Sequence, residues 1–180
     1  MALNCIYTIG HSNRSLDELL TILQSKHIAT LVDVRAHPYS RRHPQFSSEA
    51  LRTGVETVGM TYHWAGRQLG GKRPVREDSP HVAMEEGLRG YADYMDTEDF
   101  QQAAAQLINL AARAPTALLC AERLAEHCHR SLLADYLVLK GVQVIHLVSN
   151  EESHEHNLSS TARLESIRLI YDRNTSGTLF

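Results

Sequence analysis

Short apolar runs alternate along this chain with stretches whose apolar residues recur at helical spacing. Cys5 to Ile9 is β-prone, and Leu16, Leu19, Leu20 and Leu23 then form a stripe opened by Ser15 and Glu18, the spacing of a capping box. Ala29 to Val34 reads as a second buried strand, so a β-α-β unit opens the chain. Ser47 or Ser48 can cap a helix running to about Val58, and Thr61 to Trp64 reads as a third strand. Two helices are expected next, around Leu88 to Met95 and from Glu98 to about Arg113. Thr116 to Leu119 leads as a buried strand into Cys120. A helix follows from Ser131 to Lys140, stopped by Gly141, and Val142 to Val148 is the last expected strand.

Strands alternating with helices imply an α/β fold: a single Rossmann-like three-layer domain, with a mostly parallel sheet of about five strands and helices on both faces. The 180 residues suit one domain over 1–180, with 149–162 a polar surface loop. Residues 163–180 form a C-terminal segment that docks through Ile167 to Tyr171. In a parallel sheet every β-to-α loop lies at one edge, where ligands bind. Gly10–Arg14, Asp33–Arg41 and Cys120–Arg130 are expected to meet there.

Composition narrows the class. Apolar content of 43%, charged content of 22% and a net charge of −3 describe an ordinary soluble protein that is not basic all over. No apolar run reaches membrane-spanning length and no signal-peptide pattern opens the chain, so a cytoplasmic protein without a membrane partner is expected. Three cysteines, Cys5, Cys120 and Cys128, are too few for a disulfide scaffold and read as reduced thiols.

The richest stretch is Cys120 to Ser131, where two thiols, carboxylates, imidazoles and a guanidinium share one strand-to-helix loop. Cys128 stands where the helix begins, and the N-terminal end of a helix dipole together with Arg130 favours its thiolate, making it the candidate nucleophile, with a structural thiol as the alternative. Cys120 closes an apolar strand and reads as a small buried hydrophobe. Glu122 and Asp33 are candidate acids, bases or nucleophiles, although Asp33 could equally orient Arg35. His11 can serve the same edge as donor, base or metal ligand. Arg35 and Arg130 are candidate anion holders, with pairing to Asp33 or Glu122 as the alternative. Gly10, Ser12, Ser40 and His129 complete the expected substrate-binding set.

His11, Cys120, Cys128 and His129 could between them hold a metal, but their spacing fits no common zinc pattern, so no cofactor is expected. Gly70 and Gly71 beside Lys72 and Arg73 make either a phosphate loop or a turn. Arg41, Arg42 and His43, near Tyr39 and Phe46, could contact nucleic-acid phosphates and stack on bases.

The chain resembles the bacterial proteins grouped as "domain of unknown function 488". The resemblance rests on Thr8, Ile9, Gly10, His11 and Ser12; on Asp33, Val34 and Arg35 with Pro38 and Ser40; on Leu69, Gly70 and Gly71; and on Leu119 to Glu122 with Cys128, His129 and Arg130. It implies no particular reaction. A weaker likeness is to rhodanese-type sulfurtransferases, in Leu31 to Arg35, Leu118 to Cys120, and Arg130 with Ser131. This chain's loop is longer than theirs and carries Glu122 and Glu126, which would repel an anion.

The leading expectation is a small enzyme, a thiol- or carboxylate-dependent transferase or hydrolase. It would act on an anionic small molecule, a nucleotide or a nucleic acid, and is compatible with a homo-oligomer. The alternatives are a non-catalytic nucleotide or nucleic-acid binding module and a metal or redox thiol sensor.

Overall fold

The computed structural model describes residues 4–173. The strands β1 (Cys5–Gly10), β2 (Thr30–Asp33), β3 (Thr61–Trp64), β4 (Thr116–Cys120), β5 (Gln143–Leu147) and β6 (Ser153–Glu155) form one sheet in the order β3-β2-β4-β1-β5-β6. Every pairing is parallel except that of β6, which runs antiparallel to β5. Both β2 and β4 are buried along their whole length, which is why they read as unbroken apolar runs rather than alternating ones.

The first helix, α1 (Leu16–Ser25), begins at the expected cap, where the Ser15 hydroxyl accepts from the Glu18 N–H at 3.1 Å. With α2 (Ser48–Thr57), it covers one face of the sheet. Leu19, Leu23, Leu51, Val55 and Phe46 pack there on Ile9, Leu31 and Leu119. The short helix α3 (Gly66–Leu69) precedes α4 (Glu86–Tyr94), α5 (Glu98–Arg113) and α6 (His129–Leu139). On the opposite face, Phe100, Leu107, Leu133 and Leu137 meet Ile6, Val32, Leu118 and Val144. Each such fully buried side chain contributes about 1.5–3 kcal/mol of transfer free energy. The fold is therefore the expected three-layer α/β arrangement.

Three details differ from the sequence reading. The sheet has six strands, because Ser153–Glu155 within the expected surface loop pairs with β5 at the sheet edge. All three of its residues are exposed, so no apolar alternation announced it. The C-terminal segment is a hairpin, β7 (Ala162–Glu165) and β8 (Arg168–Tyr171), which docks Ala162, Leu169 and Tyr171 into the second core face. Its last residues, 174–180, lie outside the described residues. Finally, one helical turn, α3, occupies the approach to the Gly70-Gly71 pair. Among the described residues no helix is long and apolar enough to cross a membrane.

The topology fixes where a ligand can sit. The connection after β1 enters α1 on one face, whereas the connection after the neighbouring β4 enters α6 on the other. Loops leaving adjacent strands in opposite directions leave a crevice at the carboxyl end of the sheet.

Candidate active site

That crevice is a cleft of about 530 Å³, lined by His11 after β1, by Arg35, His37, Tyr39 and Ser40 after β2, and by Cys120, Glu122, Cys128 and His129 after β4. The three loops meet, and a fourth segment joins them through Gly71 and Lys72. Close approach is built into the glycines. A Cβ on Gly10 would stand 1.7 Å from the Glu122 carbonyl oxygen, so only glycine lets β1 end beneath the cysteine loop. Ser12 and Lys72, at either side of the crevice, both hold left-handed backbone, with φ of 49° and 60°.

Cys128 is the residue that caps α6. Its Sγ accepts the Arg130 backbone N–H at 3.5 Å, so the thiol sits on the orphan donors of the helix start. Cys120 lies beside it, with the two sulfurs 3.2 Å apart. The two sulfurs share a hydrogen bond, which is the main cause that pulls the Cys128 pKa down. Burial opposes the shift, and His129 and the Arg130 N–H reinforce it, leaving Cys128 at about 4. The same hydrogen bond and the same burial push Cys120 well above the ordinary thiol range. The two shifts run in opposite directions and favour Cys128 as the thiolate of the pair and Cys120 as its thiol.

His129 contributes a defined tautomer. Its Nε2 lies 3.0 Å from the Val34 carbonyl, which can only accept, so Nε2 carries a hydrogen. The nitrogen left facing Cys128 Sγ, at 3.5 Å, is Nδ1. A thiol, an imidazole and a carbonyl acceptor thus stand in one line of contacts, an arrangement suited to activating a cysteine. His129 also lines the cleft, and the Cys-His dipeptide at a helix start is the local sequence signal for its contact with Cys128.

His11 is arranged in the complementary way. Its Nδ1 donates to the Ser12 carbonyl at 2.9 Å, which leaves Nε2 as the free nitrogen, and its ring stacks on buried Phe46 at 4.6 Å between centroids. Burial lowers its pKa below the usual imidazole value, so it is a neutral base or acceptor at pH 7.

Arg35 and Asp33 form one unit. Asp33 is fully buried, accepts from Arg35 Nε at 2.9 Å and Nη2 at 2.7 Å, and takes the Tyr62 hydroxyl at 2.5 Å. Its oxygens are committed to holding Arg35, and Asp33 does not line the cleft. Arg35 is itself 5% exposed, and its remaining Nη1 has no hydrogen-bond partner among the described residues. That nitrogen is a buried, unsatisfied donor of a residue that lines the cleft.

The other expected residues divide. Ser40 lines the cleft, with its hydroxyl accepting from the His43 N–H at 3.1 Å. Glu122 is at the rim, exposed, with no side-chain hydrogen bond among the described residues. Ser12 lies outside the lining, its N–H tied to the Ala121 carbonyl at 2.9 Å. Arg130 faces away from the cleft. It is 1% exposed and donates to Thr8 Oγ1 at 3.2 Å and to the Glu122 and Arg123 carbonyls at 2.9 and 3.3 Å. It clamps the cysteine loop from beneath.

The clamp continues inward along a chain of donors that runs one way. Thr8 Oγ1 donates to His146 Nδ1, His146 Nε2 to His156 Nδ1 at 2.9 Å, and His156 Nε2 to Asp135 at 2.7 Å. Asp135 also accepts from Ser159 Oγ at 2.7 Å and from the Tyr171 hydroxyl at 2.8 Å. Burial is the main cause that pushes His146 down to about 3. Nothing in the residues 149–162, read as a plain loop, signalled this tie.

The basic loop is split as well. Tyr39 and the side chains of Arg41 and Arg42 are exposed, and Lys72 lines the cleft. Phe46 is fully buried under His11, and Arg73 lies over the Tyr94 ring at 3.8 Å, so neither is free for a nucleic acid. No group of three or more His, Cys, Asp or Glu side chains that could hold a metal ion occurs among the described residues.

No curated protein and no solved structure matches the chain. Residues 15–137, which carry α1, β2, the Gly70-Gly71 turn and the whole cysteine loop, match the family model described as "Domain of unknown function DUF488". The match spans well over half of the chain, which therefore belongs to this family.

Proposed function

We propose that this protein is a thiolate-dependent transferase or hydrolase acting on a small anionic substrate of the phosphate-bearing or nucleotide class. The observation that carries the reading is that Cys128 and Arg35 line one cleft, Arg35 keeping a buried, unpaired Nη1 and the Cys128 thiolate being supported by Cys120 and His129. Arg35, held in place by Asp33, binds the anion's oxygens and sets its electrophilic atom over Cys128 Sγ. Sulfur attacks, the bond to the leaving group breaks, and His129 Nδ1 returns the thiol's proton to that group. His11 Nε2 then takes a proton from the incoming water or acceptor hydroxyl, which displaces sulfur and regenerates the thiolate, and that proton passes through solvent back to His129 Nδ1 to close the cycle. Glu122, free at the rim, can bind the acceptor.

The test is the pH dependence of iodoacetamide alkylation at Cys128 in the native protein, with and without inorganic phosphate or a nucleoside monophosphate. The expected result is a rate already at its plateau above about pH 5, slowed by the anion, with protection lost in Arg35→Gln. A rate that still climbs toward pH 9 and ignores both anions would overturn the reading.

A second reading has one observation in its favour. Tyr39 is 64% exposed at the rim beside the exposed Arg41 and Arg42, an arrangement suited to a nucleic-acid strand rather than a free nucleotide. Binding of single-stranded oligonucleotide that weakens steeply with salt, and is lost in the Arg41→Ala/Arg42→Ala pair without turnover being found, would favour it.

A further inference from the structure

Cys120 stays outside the reaction just described, yet its sulfur is in hydrogen-bond contact with that of Cys128. The two sulfurs are 3.2 Å apart, against about 2.05 Å in a disulfide, so about 1 Å of closure joins them. Both cysteines are free. They sit at the two ends of one loop, Cys120 closing β4 and Cys128 capping α6, and both line the cleft. The third cysteine, Cys5, opens β1 at the opposite edge of the sheet, since the other end of that strand pairs with Cys120.

We propose that Cys128 and Cys120 are a peroxide-reactive pair, Cys128 reacting first with the peroxide and Cys120 resolving it, which makes this site reversibly oxidisable. The inference rests on the thiolate reading of Cys128 given above and deepens it by assigning a regulation to the same site. The cleft admits a molecule the size of hydrogen peroxide or a small organic hydroperoxide. The Cys128 thiolate attacks the peroxide's distal oxygen, the O–O bond breaks, and the departing alkoxide or hydroxide takes a proton from solvent, leaving Cys128 as a sulfenic acid. Cys120 sulfur then attacks Cys128 sulfur. The S–O bond breaks, the hydroxyl leaves as water with the Cys120 proton, and a disulfide remains. A dithiol reductant exchanges with that disulfide through a mixed disulfide and restores both thiols, itself ending as a disulfide.

While the bond stands, the nucleophile is gone and no Cys128-dependent turnover is possible. Because Cys120 is already in contact, resolution precedes the irreversible step to sulfinic acid. The anion at Arg35 should slow the first step, since it occupies the mouth through which peroxide reaches sulfur.

The experiment treats the full-length protein with hydrogen peroxide and reads intact mass, thiol titration and peptide mapping, before and after dithiothreitol. The expected result is loss of two hydrogens and of two of the three thiols, a Cys120–Cys128 cross-link, and full recovery on reduction. Cys5→Ser should behave as the wild type. Cys120→Ser should give a sulfenic acid trapped by dimedone and then a sulfinic acid that dithiothreitol does not reverse. Because the wild-type cross-link is mapped directly, the conclusion does not depend on the variant folding. A wild-type protein that alkylates rapidly at Cys128 yet goes to sulfinic acid without a cross-link overturns the pair and leaves the nucleophile standing. Slow, unshifted alkylation together with no reaction with peroxide removes both.

Discussion

A Cβ placed on Gly71 would stand 3.1 Å from His129 Nδ1, the nitrogen that faces the Cys128 sulfur. The turn carrying Gly71 therefore sets how far the imidazole can lean toward or away from sulfur. Gly71→Ala should push the ring by a few tenths of an ångström, because the facing side is closed by the Val34 hydrogen bond. The expected effect is a shift of the Cys128 alkylation profile toward higher pH, with the rate at neutral pH still near its plateau and little change in melting temperature. An unshifted profile would mean that His129 contributes nothing to the thiolate.

Asp33 and Tyr62 support Arg35 unequally, and this can be read as stability. Asp33→Asn removes the charge paired with the buried Arg35 guanidinium and should cost about 3–5 kcal/mol in urea unfolding. Tyr62→Phe removes one hydrogen bond to the same carboxylate and should cost about 1.5–3 kcal/mol. Equal losses would contradict the assignment of Asp33 as the holder of Arg35.

Acid should loosen the fold through His146. Its pKa is about 3 in the folded chain and close to 6.5 when the chain unfolds. Between those values the unfolded state binds a proton that the folded state refuses, so stability is complete above about pH 6.5 and declines as pH falls toward 3. The decline is at most about 1.4 kcal/mol for each pH unit. His11 and His81, both lowered by burial, act with the same sign. His146→Gln should flatten the dependence of unfolding free energy on pH across this window; an unaltered slope would place the titration elsewhere.

The parts of this arrangement that sequence made visible are those with a local signature. The Ser15–Glu18 cap, the all-apolar Thr116–Leu119 run and the helical spacing after Ser131 located α1, β4 and α6, and with them the loop that carries Cys128. Parallel topology alone then implied that the loops after β1, β2 and β4 share an edge. The parts that stayed hidden depend on where a side chain points from the first turn of a helix or on a distant partner. Arg130 and His129 are neighbours in sequence, yet one enters the core toward Thr8 and the other faces sulfur. The β7–β8 turn has Ser166 at φ 58° where glycine or asparagine would have marked it. The polar β6 shows no alternation, and Asp135, read only as part of a helical stretch, is a buried acceptor for groups more than 20 residues away.

The one-way chain from Arg130 to Asp135 bears on what counts as the smallest autonomous piece of this protein. The family match covers residues 15–137, but three of the groups in that chain, Thr8, His146 and His156, lie outside it. So does β1, the strand that separates β4 from β5. A fragment cut at the borders of the match would expose one side of β4, strand the buried Asp135 carboxylate without its His156, Ser159 and Tyr171 donors, and release the clamp beneath the cysteine loop. The recognisable signature and the folding unit are therefore different lengths of chain, and any excised version that keeps only the signature forfeits the cleft it was recognised by.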